Sequence, residues 1–353
     1  MMADMKPLTN PEKLIDSYGR VHNNLRISVT DRCNIRCFYC MPEQVTFMER
    51  SNLLTFEEIE RFVKVAVQVG INKIRLTGGE PLVRRNLSVL VEKLIAIDGI
   101  NDVGLTTNGV LLADQAQALF DAGLRRINLS LDTLDSEKFK EITRRDSFDQ
   151  VMEGIMAAKE VGFSPIKLNA VSMRGITVKE VIPLAHFGRT HGIDVRFIEY
   201  MPLDADNGWE RQKVFFAHEI LELLAAEFGE MQTVPEQDVR APAKDYSYPD
   251  GNGRVGIIAS VSRPFCATCN RVRLTADGKL RHCLFALQET DIKSVLRSTD
   301  YEDRLKELIV ENVASKWEGH EINTARFVQP ERLMHSIGGR NRRVLSPVIG
   351  VAQ

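Results

Sequence analysis

The stretch LRISVTDRCNIRCFYC, residues 25–40, joins a short strand pattern to three closely spaced cysteines. Alternating apolar residues predict a β-strand over Leu25–Thr30. Cys33, Cys37 and Cys40 follow this strand directly, at the carboxyl edge where parallel α/β folds place their active sites. Thiolates are the usual ligands of iron–sulfur clusters, and cubane clusters normally take four of them. Three local cysteines would therefore leave one iron open to a small molecule.

A structural zinc site is the alternative for this group, but such sites usually close with four Cys or His ligands. No fourth Cys or His lies close to residues 33–40. The ligand count therefore favours the iron–sulfur interpretation.

The composition is that of an ordinary globular protein. The chain has 353 residues, of which 44% are hydrophobic and 27% charged, and its net charge of −2 argues against a dedicated nucleic-acid binder. The first residues lack a signal-peptide core, and no apolar run approaches the roughly 20 residues that span a bilayer. We expect a cytoplasmic protein, whose six cysteines serve metal ligation or redox chemistry rather than disulfides.

Strand and helix patterns alternate along the chain to about residue 203. Six successive βα units imply parallel strands joined by right-handed crossovers, so a partial (β/α)6 barrel is the expected architecture. A doubly wound sheet is the alternative, because periodicity alone does not exclude it. Thr55 and Glu58 predict a capping box at the start of the first helix. The predicted strands are Leu25–Thr30, Lys73–Thr77, Val103–Thr107, Arg126–Leu131, Ile166–Val171 and Val195–Tyr200, and the predicted helices are Thr55–Val69, Leu87–Ile97, Ala113–Ala122, Phe148–Val161 and Val178–His191.

The pattern changes after Pro202. A polar stretch leads to a predicted helix over His218–Phe228 and then to a region rich in turn residues. We therefore expect a barrel domain at residues 1–204, a smaller α+β domain at 205–339 and a C-terminal extension at 340–353.

Basic residues recur on the predicted strands. Lys73 and Arg75 are two residues apart and so project from the same face of one strand. Burying unpaired cations inside a barrel is costly, so these side chains either meet acids such as Glu80 or Glu199 or converge on a polyphosphate. We favour the polyphosphate. The other cations of this set are Arg26, Lys167 and Arg196.

A second cysteine group lies near the end of the chain, at Cys266, Cys269 and Cys283. A turn at residues 275–278 predicts a return strand that brings Cys283 back toward the other two. His282 could complete a zinc site with the three cysteines, so zinc and an iron–sulfur cluster both fit the spacing.

The first cysteine group and the segment TGGEP, residues 77–81, resemble the radical S-adenosylmethionine (SAM) superfamily, in which an aromatic residue precedes the last cysteine. Glycines allow close backbone approach, and a glutamate can accept from an ammonium group. The resemblance implies a partial barrel of the radical SAM type. It also implies a [4Fe–4S] cluster whose open iron chelates SAM, which is split to a 5′-deoxyadenosyl radical. The SAM-binding residues that it implies are Tyr39, Gly78, Gly79, Glu80, Ser130 and Met201.

Three sequence motifs, taken together, resemble the GTP 3′,8-cyclase family of molybdenum-cofactor biosynthesis. They are LRISVTDRC, TGGEPL and CxxCNRxRLTxDGKL. The resemblance extends from about residue 18 to 339. The resemblance implies a second [4Fe–4S] cluster on Cys266, Cys269 and Cys283 that binds the guanine of GTP. It also implies a Gly338-Gly339 tail that enters the pocket, and the extension after Gly339 departs from that pattern. The implied nucleotide-binding residues are Arg26, Lys73, Arg75, Thr106, Lys167, Arg196, Arg271 and Arg273.

The partners that follow from this resemblance are GTP, an external one-electron reductant and cyclic pyranopterin monophosphate synthase as the next enzyme. The sequence leaves the oligomeric state open, a homodimer included, and no nucleic-acid or membrane partner is expected. Two rivals are another radical SAM enzyme with an auxiliary cluster, such as a peptide maturase, and a non-enzymatic iron–sulfur electron carrier. Peptide maturases usually carry more C-terminal cysteines than the three found here, and an electron carrier has no use for the TGGE segment or the basic strands.

Overall fold

The computed structural model describes residues 13–204, 208–235 and 237–335. Its centre is a run of six parallel strands that lie side by side in chain order. A doubly wound sheet would reverse its strand order at a switch point, and this run does not, so the predicted partial barrel is confirmed. Every strand lies within two residues of its predicted bounds. The strands are β1 (Asn24–Ser28), β2 (Lys73–Thr77), β3 (Asp102–Thr107), β4 (Arg126–Ser130), β5 (Ile166–Ser172) and β6 (Asp194–Glu199).

Helices cross between these strands and cover one face of the sheet. The predicted capping box is present, because Thr55 Oγ1 accepts from the Glu58 amide and the Glu58 carboxylate accepts from the Thr55 amide. One helix of the described barrel, α4, was not predicted. These helices are α1 (Phe56–Gln68), α2 (Leu87–Ile95), α3 (Ala116–Asp121), α4 (Ser136–Thr143), α5 (Phe148–Val161) and α6 (Val181–His191).

The C-terminal part extends the sheet at both ends of the barrel run. It contains α7 (Ala217–Phe228), β7 (Gln232–Thr233), β8 (Lys244–Ser247), β9 (Arg254–Ile258), β10 (Arg271–Leu274), β11 (Lys279–Arg281), β12 (Thr290–Asp291), α8 (Lys293–Leu296) and α9 (Tyr301–Ala314). β9 pairs in parallel with β6, and β10 pairs in parallel with β1. The edges of the barrel run are therefore covered.

Antiparallel β10 and β11 confirm the predicted return strand before Cys283. The boundary near residue 205 remains a prediction, and residues 205–207 lie outside the described part of the chain.

Alternation along the strands separates an apolar face from a polar one. On β2, Ile74 and Leu76 are buried against the helices, whereas Lys73 and Arg75 point to the other side and line a cavity. The same parity on the neighbouring strands turns a ring of polar side chains toward the barrel interior. Within the described residues, none of the helices is both long and apolar enough to span a membrane.

Candidate functional site

The polar face of the barrel lines a cavity of about 370 Å³. Nine Lys or Arg side chains border it against two carboxylates, those of Asp102 and Asp238, so its interior carries a strong positive charge. All eight residues expected to bind the nucleotide lie on its wall: Arg26, Lys73, Arg75, Thr106, Lys167, Arg196, Arg271 and Arg273.

Arg26 illustrates that these cations lack enough acidic or hydrogen-bonding partners. Burial, followed by the charges of Arg273, Arg271 and Arg75, lowers the pKa of its guanidinium well below the usual value. Arg26 Nε is buried and makes no hydrogen bond within the described part of the chain. The same is true of Arg271 Nη2 and Arg196 Nε. Buried donors without partners are costly. An anion with many oxygens would satisfy these donors and relieve the repulsion.

Some of the cations do have acidic neighbours, but these are not the two glutamates named in the alternative to the polyphosphate. Glu80 and Glu199 bind backbone amides and hydroxyls instead. Asp194 lies 3.8 Å from Lys167 Nζ, and Asp245 lies 3.8 Å from Arg196 Nη2. Both distances are long for direct ion pairs, so the cations keep donors for a ligand.

Arg75 is oriented by its neighbours across the sheet. Its Nη1 donates to the Leu105 carbonyl at 3.2 Å and to Asn128 Oδ1 at 3.3 Å. Gly104 makes room for this guanidinium, because a Cβ at that position would lie 2.7 Å from Nη1. The sequence therefore positions Arg75 through a glycine on the adjacent strand.

The first cysteine group lies in the loop of residues 33–40, which contacts two barrel elements. The Arg36 amide donates to the Thr143 carbonyl at the end of α4, at 2.8 Å. Tyr39 Oη donates to Asp132 Oδ2 at 2.6 Å, just beyond the end of β4. The backbone between the cysteines is thus fixed from two sides.

Without metal, the environment of these three thiols favours their protonated form. All three are half-buried. Burial first, and then neighbouring charged groups, raises the pKa of Cys33 to about 11 and that of Cys40 to about 12, and raises that of Cys37 well above its usual value. Three thiolates would be unstable together here without a cation among them, and the irons of a cluster supply that cation.

The TGGE segment packs directly on this loop. A Cβ at Gly79 would lie 2.4 Å from the Arg32 carbonyl oxygen, and the Glu80 amide donates to that same oxygen at 2.7 Å. The Glu80 carboxylate accepts from Thr107 Oγ1 at 2.6 Å and from the Asn108 amide at 2.7 Å. Burial nevertheless raises the pKa of Glu80 to about 7.

The second cysteine group borders the cationic cavity itself. Cys266, Cys269 and Cys283 all line it. Burial raises the pKa of the Cys269 thiol, but the charges of Arg271 and Lys316 outweigh this and lower it to about 6. Cys269 is therefore ready to bind metal as a thiolate.

His282 lies beside this group, as zinc ligation would require. It is buried, and its Nε2 has no hydrogen-bond partner among the described residues. Yet no three His, Cys, Asp or Glu side chains in the described ranges form a group that could hold a metal ion. A cubane cluster does not need three side chains around a single ion, since each of its thiolates binds a separate iron.

The cavity brings the second cysteine group and the residues expected to bind the nucleotide together with Met201. Arg196 and Met201 have opposite strand parity, and both reach the cavity because β6 ends at Glu199, before Met201. The cavity wall does not include the first cysteines or the other expected SAM residues, Tyr39, Gly78, Gly79, Glu80 and Ser130. The expected tail residues Gly338 and Gly339 lie outside the described part of the chain.

Other wall residues were not predicted. Asn24, Asn128 and Asn169 have the same strand parity as the predicted cations, so the alternation could have identified them. Arg126, on the same face, pairs with Asp102. Arg240 comes from a loop between β7 and β8, and no local pattern marks it.

Two family models match the chain. The Radical SAM superfamily model matches residues 27–188, and the Molybdenum Cofactor Synthesis C model matches residues 193–322. Together they cover the barrel and most of the C-terminal part.

Individual proteins agree with these models. The chain is 48% identical over 336 residues to a GTP 3′,8-cyclase of Rhodopirellula baltica, covering 94% of each chain. It is 45% identical to one of Streptomyces coelicolor, covering 92% of this chain and 96% of that protein. The structure of Streptococcus suis SuiB bound to S-adenosylmethionine shares the fold at a TM-score of 0.62 and 15% identity, covering 84% of this chain and 69% of SuiB. Its sequence shows that this chain belongs to the GTP 3′,8-cyclase family of the radical SAM superfamily.

Proposed function

We propose that this protein converts GTP to 3′,8-cyclo-7,8-dihydro-GTP in molybdenum-cofactor biosynthesis. The observation that carries the proposal is the cationic cavity, whose wall joins eight predicted nucleotide ligands to the second cysteine group. A triphosphate supplies the oxygens that the unpaired donors of Arg26, Arg196 and Arg271 lack. The guanine would lie in the same cavity, beside the three cysteines.

Cys33, Cys37 and Cys40 are the proposed ligands of the first [4Fe–4S] cluster, and Cys266, Cys269 and Cys283 those of the second. When bound and reduced, the first cluster would supply, with SAM, the 5′-deoxyadenosyl radical that takes the ribose C3′ hydrogen of GTP. The bond from C3′ to guanine C8 would leave a radical on the base, which one further electron from the external reductant and a proton would convert to the dihydro product. The residues proposed to hold SAM are Tyr39, Gly78, Gly79, Glu80, Ser130 and Met201.

The chain's own contribution is binding and orientation. Arg75 is fixed by Leu105 and Asn128 before any ligand arrives, and a preset donor loses little freedom on binding. Arg271 and Arg273 lie two apart on β10 and follow Cys269 closely, so the same strand end would position both phosphate and base. Holding the ribose between two fixed anchors restricts which hydrogen meets the radical.

The proposal extends to partners and location. It includes an external one-electron reductant, product transfer to cyclic pyranopterin monophosphate synthase, a homodimer and a cytoplasmic site of action. A boundary between residues 204 and 205, with an extension at 340–353, belongs to the same proposal.

The test is anaerobic reconstitution with iron and sulfide, followed by incubation with GTP, SAM and dithionite. Wild-type protein should form the cyclised nucleotide, identified by mass spectrometry. A variant with Cys266, Cys269 and Cys283 replaced by Ser should keep the first cluster but form no product. Normal cyclisation by that variant, or zinc in the wild-type second site, would refute the proposed role of the second group.

A further inference from the structure

A single segment after α9, residues 315–319, surrounds the second cysteine group. Ser315 Oγ lies 3.4 Å from His282 Nδ1, next to Cys283. A Cβ at Gly319 would lie 3.8 Å from Cys266 Sγ. Lys316 Nζ lies 3.4 Å from Cys269 Sγ. The segment therefore contacts the surroundings of all three cysteines.

Arg20 fixes this segment from the other side. Its guanidinium donates to the carbonyls of Trp317 at 2.6 Å and Glu318 at 2.7 Å, and also to that of Cys266 at 2.8 Å. Asp16 in turn holds Arg20 Nε at 2.6 Å. Arg20 thus links the backbone next to Lys316 to the carbonyl of Cys266. The position of Lys316 relative to Cys269 is therefore set by buried contacts.

Lys316 is itself a buried cation with an unusual set of partners. Its residue is only 5% exposed, and Nζ donates to the Arg271 carbonyl at 2.8 Å as well as to Cys269 Sγ. No carboxylate pairs with it in the described residues, although buried lysines normally need a compensating anion. The cysteine sulfurs are the groups in place to supply that negative charge.

Hydrogen bonds to ligand sulfurs and nearby charge are two of the factors that set the reduction potential of an iron–sulfur cluster. A cation that donates to a thiolate favours the more negative, reduced cluster. We propose that Lys316 is a positioning residue of the second cluster, whose ammonium donates to the Cys269 thiolate and raises the reduction potential of that cluster. This inference rests on the second cluster of the proposed function.

The experiment isolates the second cluster by replacing Cys33, Cys37 and Cys40 with Ser. In this background, redox titrations followed by electron paramagnetic resonance compare Lys316→Met, Lys316→Arg and the unchanged Lys316. Lys306→Met is the matched control, because Lys306 lies on α9 and pairs with Asp303 at the surface. Iron content is measured for every protein.

We expect Lys316→Met to shift the reduction potential of the second cluster to more negative values. Lys316→Arg should keep a potential close to that of the parent protein, and Lys306→Met should leave the potential unchanged. Loss of the cluster in Lys316→Met with retention in Lys316→Arg also supports the role of the charge. A wild-type potential in Lys316→Met at full iron content, or cluster loss in both variants, overturns the inference and leaves the second cluster standing. A parent protein without any second cluster overturns the proposed function as well.

Discussion

Replacing Gly79 by alanine should separate the two segments that frame the first cysteine group. The new Cβ would lie 2.4 Å from the Arg32 carbonyl oxygen and 2.7 Å from that of Asp31, whereas ordinary contact begins at 3.4 Å. Both obstacles are backbone atoms, so no side-chain rotation relieves them. The TGGE segment and the loop of residues 33–40 must therefore move apart by about 1 Å, the difference between 2.4 Å and 3.4 Å.

A displacement of about 1 Å at a reacting centre can lower a rate about 100-fold, and overpacking of this kind costs about 1–3 kcal/mol of stability. We expect reductive SAM cleavage by Gly79→Ala to fall by about 100-fold at equal iron content. The assay measures 5′-deoxyadenosine after anaerobic reduction, with urea unfolding of the cluster-free protein alongside. Gly208→Ala is the matched control, since its Cβ would meet only Asp204 Oδ2, at 3.7 Å. Cleavage by Gly79→Ala at the Gly208→Ala rate would refute the reasoning.

Four further outcomes are expected. Burial raises the pKa of Glu80 to about 7, so SAM affinity should fall up to about tenfold per pH unit below 7 as the carboxylate protonates, and Glu80→Gln should flatten that profile in equilibrium dialysis. The same raised pKa should make the ligand-free protein less stable as pH rises through 7, a trend that urea unfolding of Glu80→Gln should lack. Arg271→Ala and Arg273→Ala should each weaken GTP use while iron content stays at the wild-type value; unchanged kinetics would contradict their role. Truncation after Gly339 should leave cyclisation at least as fast as in the full chain, and changing Gly338 and Gly339 to Ala should impair both the truncated and the full-length protein. A truncated protein that loses activity, or a double-Ala variant that keeps it, would contradict this.

Local sequence patterns predicted the structural elements that depend on residues close together in the chain. Period-two alternation located all six barrel strands, because each buries one face against helices. The capping box at Thr55 and the return strand before Cys283 depend on short segments and were also predicted. Helix α4 was missed, since its sequence SEKFKEIT offers few apolar positions.

Long-range pairing could not be predicted in the same way. Arg271 pairs in register with Asn24, far away in sequence, and only this pairing places the second cysteine group beside the first strand. The partners of the acids could not be predicted from local patterns either. Glu199, one of the acids named in the alternative to the polyphosphate, accepts from the Val261 and Ser262 amides, because the chain folds back over the end of β6. Such contacts depend on loops that carry no periodic signal.

Transfer of hydrogen from the ribose of GTP tests the central claim most directly. GTP labelled with deuterium at C3′ is incubated with the reconstituted protein, SAM and dithionite, and the 5′-deoxyadenosine formed is analysed by mass spectrometry. A cavity that holds GTP with its ribose within reach of the 5′-deoxyadenosyl radical predicts one deuterium in 5′-deoxyadenosine and a cyclised nucleotide product. Unlabelled 5′-deoxyadenosine, with GTP recovered unchanged from protein that holds both clusters, would contradict the account.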